Sequence, residues 1–336
     1  MRNLQAWNYY HRFVIVAWIL FAGCGRPSSE PTSAAPRVPT TNAEPLTPVS
    51  LMLNWYPEAE HGGYYAALVH GYFAEAGLDV TIIPGRLNAP VVQQAARGEV
   101  DFGVTNADQI ALARAQDARI KALLAPLANS PRCLLVHADS GIEKFEQLQD
   151  VTIMMSREQG WAQFLIAKLP LDGVTIVPNS ASLAPFLADP RAAKQGYIIS
   201  EPFVAKQEGA DVRSLLVADF GFNPYTSILM TRDETISQRP ELVRKMIEAS
   251  RRGWQKYLAD PAATNQRIHE LNPEMSLEIL DFGVQAIKDH CTDMDVPSDD
   301  FGRMTAERWS TLVAQLEQLK MLEPGAVESA SLFQAD

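Results

Sequence analysis

Cysteine is scarce in this chain, with three in 336 residues. That number is too small for a disulfide scaffold or for a zinc site built from four thiolates. The six histidines include no pair with the H-x-x-x-H or H-E-x-x-H spacing of a metal site. The phosphate-loop, G-x-G-x-x-G and G-x-S-x-G motifs are also missing, so phosphate-loop and nucleophile-elbow mechanisms lack their anchors.

Positive charge is in short supply as well. The chain has 29 Lys and Arg against 40 Asp and Glu, a formal net charge of −11, and no basic stripe interleaved with aromatics. Because phosphate backbones are held by clustered Lys and Arg, this balance argues against a non-specific nucleic-acid binder. The 47% hydrophobic and 21% charged residues are typical of a globular chain with a sizeable core, and the length suits two domains.

The amino terminus carries an apolar run too short for a membrane span. Arg2 and Arg12 precede an 11-residue apolar run, 13–23, whereas a spanning helix needs about 20 residues. We therefore predict a signal peptide over residues 1–23. The small residues before Cys24 are similar to the lipobox of bacterial lipoproteins, which implies lipid attachment to Cys24 and a membrane anchor; a plain signal peptide and an uncleaved anchor remain alternatives.

Residues 24–48 are predicted to be a flexible tether. From residue 26 they are mostly Pro, Ser, Thr and Ala with almost no large apolar side chains. Such a segment buries too little surface to offset the entropy cost of ordering it. The folded body is therefore expected to begin near Val49.

The body alternates short β-rich segments with amphipathic helices, which indicates an α/β fold with largely parallel sheets. The alternation restarts after residue 141 and becomes almost wholly helical beyond residue 231. We predict lobe I from residues 49–138 plus 226–325 and lobe II from residues 139–225, with chain crossings near 138 and 226. One larger doubly wound domain with a helical cap is the alternative.

Several sequence blocks resemble one family of binding proteins. The blocks are residues 53–57 (LNWYP), 60–67 (EHGGYYAA), 71–73 (GYF), 76–80 (AGLDV), 98–104 (GEVDFGV), 140–142 (SGI), 241–245 (ELVRK) and 257–261 (YLADP). They resemble the periplasmic solute-binding proteins of ABC importers for thiamine-pyrimidine precursors, aliphatic sulfonates and related molecules. The fungal thiamine-pyrimidine synthases share that fold. The resemblance implies a type II periplasmic-binding-protein-like architecture: two lobes, each a mostly parallel sheet flanked by helices, joined by two crossovers.

The chain departs from the synthases at their reactive positions. The places after the D-x-G motif hold residues such as Thr105 and Gln109 instead of Lys or His, and residues 222–225 contain no cysteine. Without a suitably placed amine, a Schiff base with pyridoxal phosphate cannot form. The resemblance therefore implies binding and transport; we expect no enzyme activity and no cofactor.

Candidate ligand contacts follow the carboxyl ends of predicted strands, where ligands bind in open α/β sheets. Trp55 or Tyr56 could stack on a ring, and Glu201 could accept hydrogen bonds from ring amino groups. A solvated loop glutamate is the alternative for Glu201, a helix cap the alternative for Thr105 and Asn106, and a capping or loop residue the alternative for His61. The full candidate set is Asn54, Trp55, Tyr56, His61, Tyr64, Thr105, Asn106, Ser156, Glu201 and Tyr225.

These features lead to one functional hypothesis. The chain is expected to be a monomeric, lipid-tethered protein of the periplasm or cell surface that captures a small heteroaromatic ligand by hinge closure and presents it to an ABC permease. Alternatives are a pyridoxal-phosphate-dependent pyrimidine synthase, a sulfonate, nitrate or riboflavin binder, and a sensory ectodomain. Whether Cys133 and Cys291 pair stays open at this point.

Overall fold

The computed structural model describes residues 45–180, 182–293 and 296–334. The predicted signal peptide, Cys24 and nearly all of the tether lie outside the described residues. Within them, no helix combines the length and apolar character needed to cross a membrane. The first strand begins at Thr47, close to the predicted start of the body.

Within the described residues, ten strands form two five-stranded sheets with helices against them. The strands are β1 (Thr47–Met52), β2 (Leu78–Ile83), β3 (Phe102–Thr105), β4 (Ile120–Leu124), β5 (Arg132–His137), β6 (Thr152–Met154), β7 (Thr175–Val177), β8 (Ala192–Tyr197), β9 (Val212–Leu216) and β10 (Ile228–Arg232). The first sheet, the centre of lobe I, has the order β2-β1-β3-β10-β4, and the second, the centre of lobe II, has the order β7-β6-β8-β5-β9. Two separate sheets confirm the predicted two-lobed architecture.

Each sheet mixes parallel and antiparallel pairs. In lobe I, β1 is parallel to β2 and β3, while β10 is antiparallel to β3 and β4. In lobe II, β6 is parallel to β7 and β8, while β5 is antiparallel to β8 and β9. The antiparallel pairs are therefore all made by the two strands that follow a chain crossing.

Twelve α-helices accompany these sheets in the part of the chain that the structure describes. They are α1 (Gly62–Val69), α2 (Tyr72–Glu75), α3 (Val91–Arg97), α4 (Ala107–Arg114), α5 (Gly160–Lys168), α6 (Ala184–Leu187), α7 (Glu201–Gln207), α8 (Asp233–Gln238), α9 (Pro240–Ala259), α10 (Ala262–Leu271), α11 (Leu277–Ala286) and α12 (Ala306–Gln318). A 3₁₀ turn, Ala59–His61, leads directly into α1. The helical carboxyl-terminal part follows the prediction, with breaks at the expected X-Pro steps before residues 261 and 273.

The first crossing lies earlier than we predicted. The sequence analysis grouped residues 133–136 with lobe I, but this strand pairs with β8 and β9 of lobe II. The crossing therefore runs through residues 125–131, between β4 and β5. A strand whose residues are almost all buried has the same pattern in either sheet, so periodicity could not assign it. Cys133 and Cys291 are both buried free thiols, which settles their pairing.

The two crossing segments are joined to each other and to α12. The side chain of Asn223 accepts a hydrogen bond from the Ser130 amide (2.9 Å) and donates one to Asn129 Oδ1 (2.8 Å). Arg308 of α12 donates to the Asn223 carbonyl (2.9 Å), and its guanidinium lies 4.0 Å from the centre of the Tyr225 ring. The crossings therefore form one connected unit with α12.

Glycines allow α1 and α9 to touch directly. A Cβ atom on Gly63 would lie 2.0 Å from the Trp254 ring, and one on Gly62 would lie 1.9 Å from the Tyr257 ring. From the opposite side, a Cβ on Gly253 would lie 2.2 Å from the Gly63 carbonyl oxygen. The rings fill the space that side chains at positions 62 and 63 would need, and this contact fixes the start of α1.

We predict that Gly253→Ala destabilises the protein, because its new methyl group would meet backbone that cannot move aside. The expected loss is about 1–3 kcal/mol of unfolding free energy, measured by urea denaturation. Glu248→Ala on the same helix is the control; its exposed ion pair with Arg244 is worth at most about 1 kcal/mol. Equal midpoints for the glycine variant and wild type would contradict the prediction.

Candidate functional site

Polar and aromatic side chains from both lobes meet between the sheets. Lobe I contributes Asn54, Glu58, Glu60, His61, Asn106 and Asp108, and lobe II contributes Arg132, Trp161, Tyr197 and Glu201; we call this group the inter-lobe site. Its members lie close enough to act on each other across the lobes. The charges of Glu60, Asp108 and Arg132 all influence the pKa of the buried Tyr197 hydroxyl, although burial is the main reason that this pKa is raised.

Arg132 lies over two aromatic rings. It begins β5 directly opposite Tyr197, and its guanidinium lies 4.2 Å from the centre of the Tyr197 ring and 5.4 Å from that of Trp161. Nη2 donates to the Tyr197 hydroxyl at 3.2 Å. Among the described residues, no carboxylate lies within ion-pair distance of this cation. Most of its five N–H donors therefore remain available in the plane of the guanidinium.

Two buried glutamates precede α1. Glu58 is 7% exposed and Glu60 is 1% exposed. Burial raises the pKa of Glu58 well above its ordinary value of 4.5; the charges of Glu60 and Glu201 act in the same direction, and Arg132 opposes them. A shift in this direction means that nearby charges and hydrogen bonds do not make up for the water that the ionised carboxylate loses in the folded protein.

The pair Glu60 and His61 has unused hydrogen-bonding atoms. His61 Nε2 lies 3.0 Å from Glu60 Oε1 and 2.9 Å from Asn54 Oδ1. Because a carboxylate oxygen only accepts, Nε2 carries the proton. Glu60 Oε2 and His61 Nδ1 are buried and have no partner within the described ranges. The site thus holds two polar atoms that a bound solute could satisfy.

Asp108 reaches from lobe I toward lobe II. It is 6% exposed, and Oδ1 accepts from the Gln109 amide at 3.0 Å. Its Oδ2 would lie 3.4 Å from a Cβ atom on Gly160, the first residue of α5. Burial raises the pKa of Asp108, while the Gln109 amide and the charge of Arg132 act to lower it.

Of the residues predicted from the sequence, Asn54 and His61 contact each other in the site. Asn106 also lies there, but its side chain does not cap α4. Asn106 stands at the N-cap position of α4, but its side chain makes no capping hydrogen bond. Its Oδ1 instead accepts from the Ser227 amide at 3.3 Å. Thr105 is buried at the end of β3. Tyr56 is 47% exposed.

Three further predicted contacts are only partly available. Trp55 packs edge-on against Tyr56, with ring centres 5.4 Å apart. Glu201 uses Oε2 to accept from the Tyr197 amide (2.9 Å) and the Ser200 hydroxyl (2.7 Å). One carboxylate oxygen thus stabilises its own turn and Oε1 remains. Ser156 donates its amide to Gln195 Oε1 at 2.5 Å.

Tyr64 and Tyr225 have packing contacts where we predicted ligand contacts. The Tyr64 hydroxyl donates to the Ser227 carbonyl at 2.8 Å, and its ring meets Trp254 edge-on. The Tyr225 hydroxyl accepts from the Thr305 amide at 3.0 Å. Both hydroxyls are therefore used in hydrogen bonds within the core and the crossing segments. Sequence spacing placed these tyrosines near the site but could not give the direction of their side chains.

Six residues of the site were not predicted from the sequence: Glu58, Glu60, Asp108, Arg132, Trp161 and Tyr197. Glu60 belongs to the same block as His61, and Asp108 follows Asn106 by two positions, so proximity in sequence could have indicated them. Arg132 and Tyr197 carry no motif. They face each other only because β5 and β8 pair in this register.

Comparisons with known proteins agree with this architecture. The family model described as "NMT1/THI5 like" matches residues 58–264. The riboflavin-binding protein RibY of Chloroflexus aurantiacus is 27% identical over 287 residues, which cover 82% of this chain and 81% of RibY. The formylaminopyrimidine-binding protein of Halalkalibacterium halodurans is 24% identical over 307 residues, covering 84% and 89%. The structure of the periplasmic aliphatic sulphonate binding protein SsuA from Escherichia coli aligns with a TM-score of 0.62 at 12% identity, covering 86% and 92%.

We predict that Glu58→Gln changes the pH dependence of stability. Since the folded-state pKa of Glu58 is raised, the wild-type unfolding free energy should fall as pH rises above about 4.5 toward the folded-state pKa. The glutamine variant should match wild type near pH 4 and exceed it increasingly toward pH 7, in urea denaturation series. Glu208→Gln on the surface is the control. A constant offset at every pH would contradict the assignment.

Proposed function

The chain belongs to the NMT1/THI5-like family and has the periplasmic-binding-protein fold, and from this premise we propose that it captures a small heteroaromatic solute in the inter-lobe site. The solute is then presented to an ABC permease. Closure of the lobes is a hinge motion in the two crossing segments, biased by contacts that the solute makes with both lobes.

The unpartnered atoms of Glu60 and His61 carry this proposal. A buried polar atom without a hydrogen bond costs about 1–3 kcal/mol, and here Glu60 Oε2 and His61 Nδ1 both lack one within the described residues. A carboxylate oxygen accepts, and so does the unprotonated nitrogen of a neutral imidazole. A solute that brings an N–H donor to either atom would supply a missing partner.

The charges and rings around these atoms define the rest of the solute. The inter-lobe site holds four carboxyl groups, Glu58, Glu60, Asp108 and Glu201, and one guanidinium, that of Arg132. Since burial raises the pKa values of Glu58 and Asp108, a solute that brings hydrogen-bond donors or positive charge would stabilise their ionised forms. Trp161 and Tyr197 offer aromatic faces, and the free N–H groups of Arg132 suit a carbonyl or ring nitrogen. An aminopyrimidine combines these properties. The names of two relatives, for formylaminopyrimidine and riboflavin, point to the same chemical class.

A binding role is favoured over synthesis by Thr105, two positions after the D-x-G motif. Thr105 has a hydroxyl where a Schiff base would need an amine, and it is buried at the end of β3. We therefore propose a binding protein located outside the cytoplasm. Lipid attachment to Cys24 would hold it at the membrane surface through the 24–48 tether.

We predict saturable binding of an aminopyrimidine by the wild-type protein, measured by isothermal titration calorimetry. Glu60→Gln should weaken it at least tenfold, because a charge-assisted hydrogen bond is worth about 1.5–3 kcal/mol. The exposed Glu208→Gln variant should bind as wild type does. A panel of pyrimidines, thiamine and flavins that gives no heat with the wild-type protein would refute the proposed ligand class.

We predict that Cys24 carries the membrane anchor. In cells fed an alkyne-labelled fatty acid, the wild-type chain should take up the label and sediment with membranes, whereas Cys24→Ser should do neither. Ser28→Ala, in the same segment, serves as the control and should behave as wild type. Labelled Cys24→Ser protein would show that the anchor is elsewhere.

A further inference from the structure

We propose that Asp108 excludes anionic solutes from the inter-lobe site by placing its own carboxylate at the amino end of α5, where the negative group of such a solute would otherwise bind. This inference rests on the proposed function and narrows it to solutes that bring hydrogen-bond donors, or no charge, to that position. It makes Asp108 a residue that determines specificity.

The amino end of α5 is suited to an anion. The first amides of a helix have no intrahelical acceptor, and the helix dipole adds partial positive charge there. The N-cap residue Gln159 provides no side-chain capping hydrogen bond. Arg132 contributes a full positive charge from the neighbouring strand β5, and this charge also acts on Asp108. An anion entering this part of the site would meet favourable fields from both sources.

Gly160 allows the Asp108 carboxylate to approach this helix. A Cβ atom on Gly160 would lie 3.4 Å from Asp108 Oδ2, 3.2 Å from Phe222 and 3.3 Å from Leu316. A larger side chain there would need space that these three neighbours occupy. Gly160 therefore has no side chain at the point where the Asp108 carboxylate of the other lobe approaches α5.

Asp108 is held in place by a hydrogen bond and has no ion-pair partner among the described residues. Its Oδ1 accepts from the Gln109 amide on its own helix, whereas Oδ2, in a side chain 6% exposed, makes no hydrogen bond within the described residues. No cation among those residues lies within ion-pair distance of it. Burial raises the pKa of Asp108, and the charge of Arg132 acts to lower it. Oδ2 is therefore an acceptor for a solute N–H, and the ionised carboxylate repels a solute anion.

The selectivity follows from these two properties. A sulfonate, phosphate or carboxylate beside α5 would face the Asp108 charge at close range in a poorly solvated site, where like charges repel strongly. A ring amino group at the same place would donate to Oδ2. Asp108 thus converts an anion-binding helix end into one that selects donors.

The test compares wild type with Asp108→Asn, which keeps the size of the side chain and removes its charge. Ethanesulfonate and inorganic sulfate are titrated into both proteins by calorimetry, beside an uncharged aminopyrimidine. We expect the variant to bind at least one anion ten or more times more tightly than wild type does. Asp79→Asn, on the exposed face of β2, removes the same net charge and should leave anion binding unchanged.

The outcomes separate this inference from the proposed function. If wild type binds the aminopyrimidine but Asp108→Asn gains no anion affinity, the role of Asp108 is wrong and the proposed function stands. If wild type already binds the anions as tightly as the variant, the role is equally wrong. If wild type binds no ring compound while the variant gains an anion, the inference holds and the proposed ligand class fails. Asp108→Ser provides a second, smaller variant should the asparagine protein fail to fold.

Discussion

The contact between α1 and α9 is the constraint on which the site depends. Glycines at positions 62, 63 and 253 leave free the space that their own side chains would need, so the backbone of α1 packs directly against α9 and its rings. The turn that carries Glu60 and His61 is continuous with the first residue of α1. Glu60 Oε2 has no partner among the described residues, and in a less tightly held turn this oxygen would rotate toward water. Dense packing one residue away holds the turn in place and keeps that carboxylate buried.

Burying these carboxyl groups therefore costs electrostatic free energy, which the rest of the fold must offset. Raised pKa values at Glu58 and Asp108 are the sign of this cost. Structural stability alone would favour neutral side chains at both positions. Proteins keep such groups where function needs them, and here they lie around one arginine that contacts two aromatic rings. The proposed solute, which brings donors, would recover part of this free energy on binding.

Sequence reasoning predicted the architecture well and the site only in part. Alternating segments and X-Pro breaks predicted most elements, because local periodicity and turn chemistry determine them. Asn54 and His61 were predicted through a contiguous block that resembles a family. Arg132 and Tyr197 were not, because strand register alone brings together residues 65 positions apart. Tyr225 was assigned to the cleft since its position along the chain was right, but its side chain turns toward α12.

The attachment of Arg308 to both crossing segments has a consequence for the order in which the protein matures. Arg308 hydrogen-bonds the carbonyls of Ala128 and Asn223, 180 and 85 positions earlier in the chain. Arg308 lies beyond Arg232, the last residue of β10, so every strand of the two described sheets is synthesised before it. The Asn223 side chain can join the crossing segments at that stage, but their attachment to α12 is still missing. During synthesis or export the two sheets can therefore form before α12 fastens the segments that connect them.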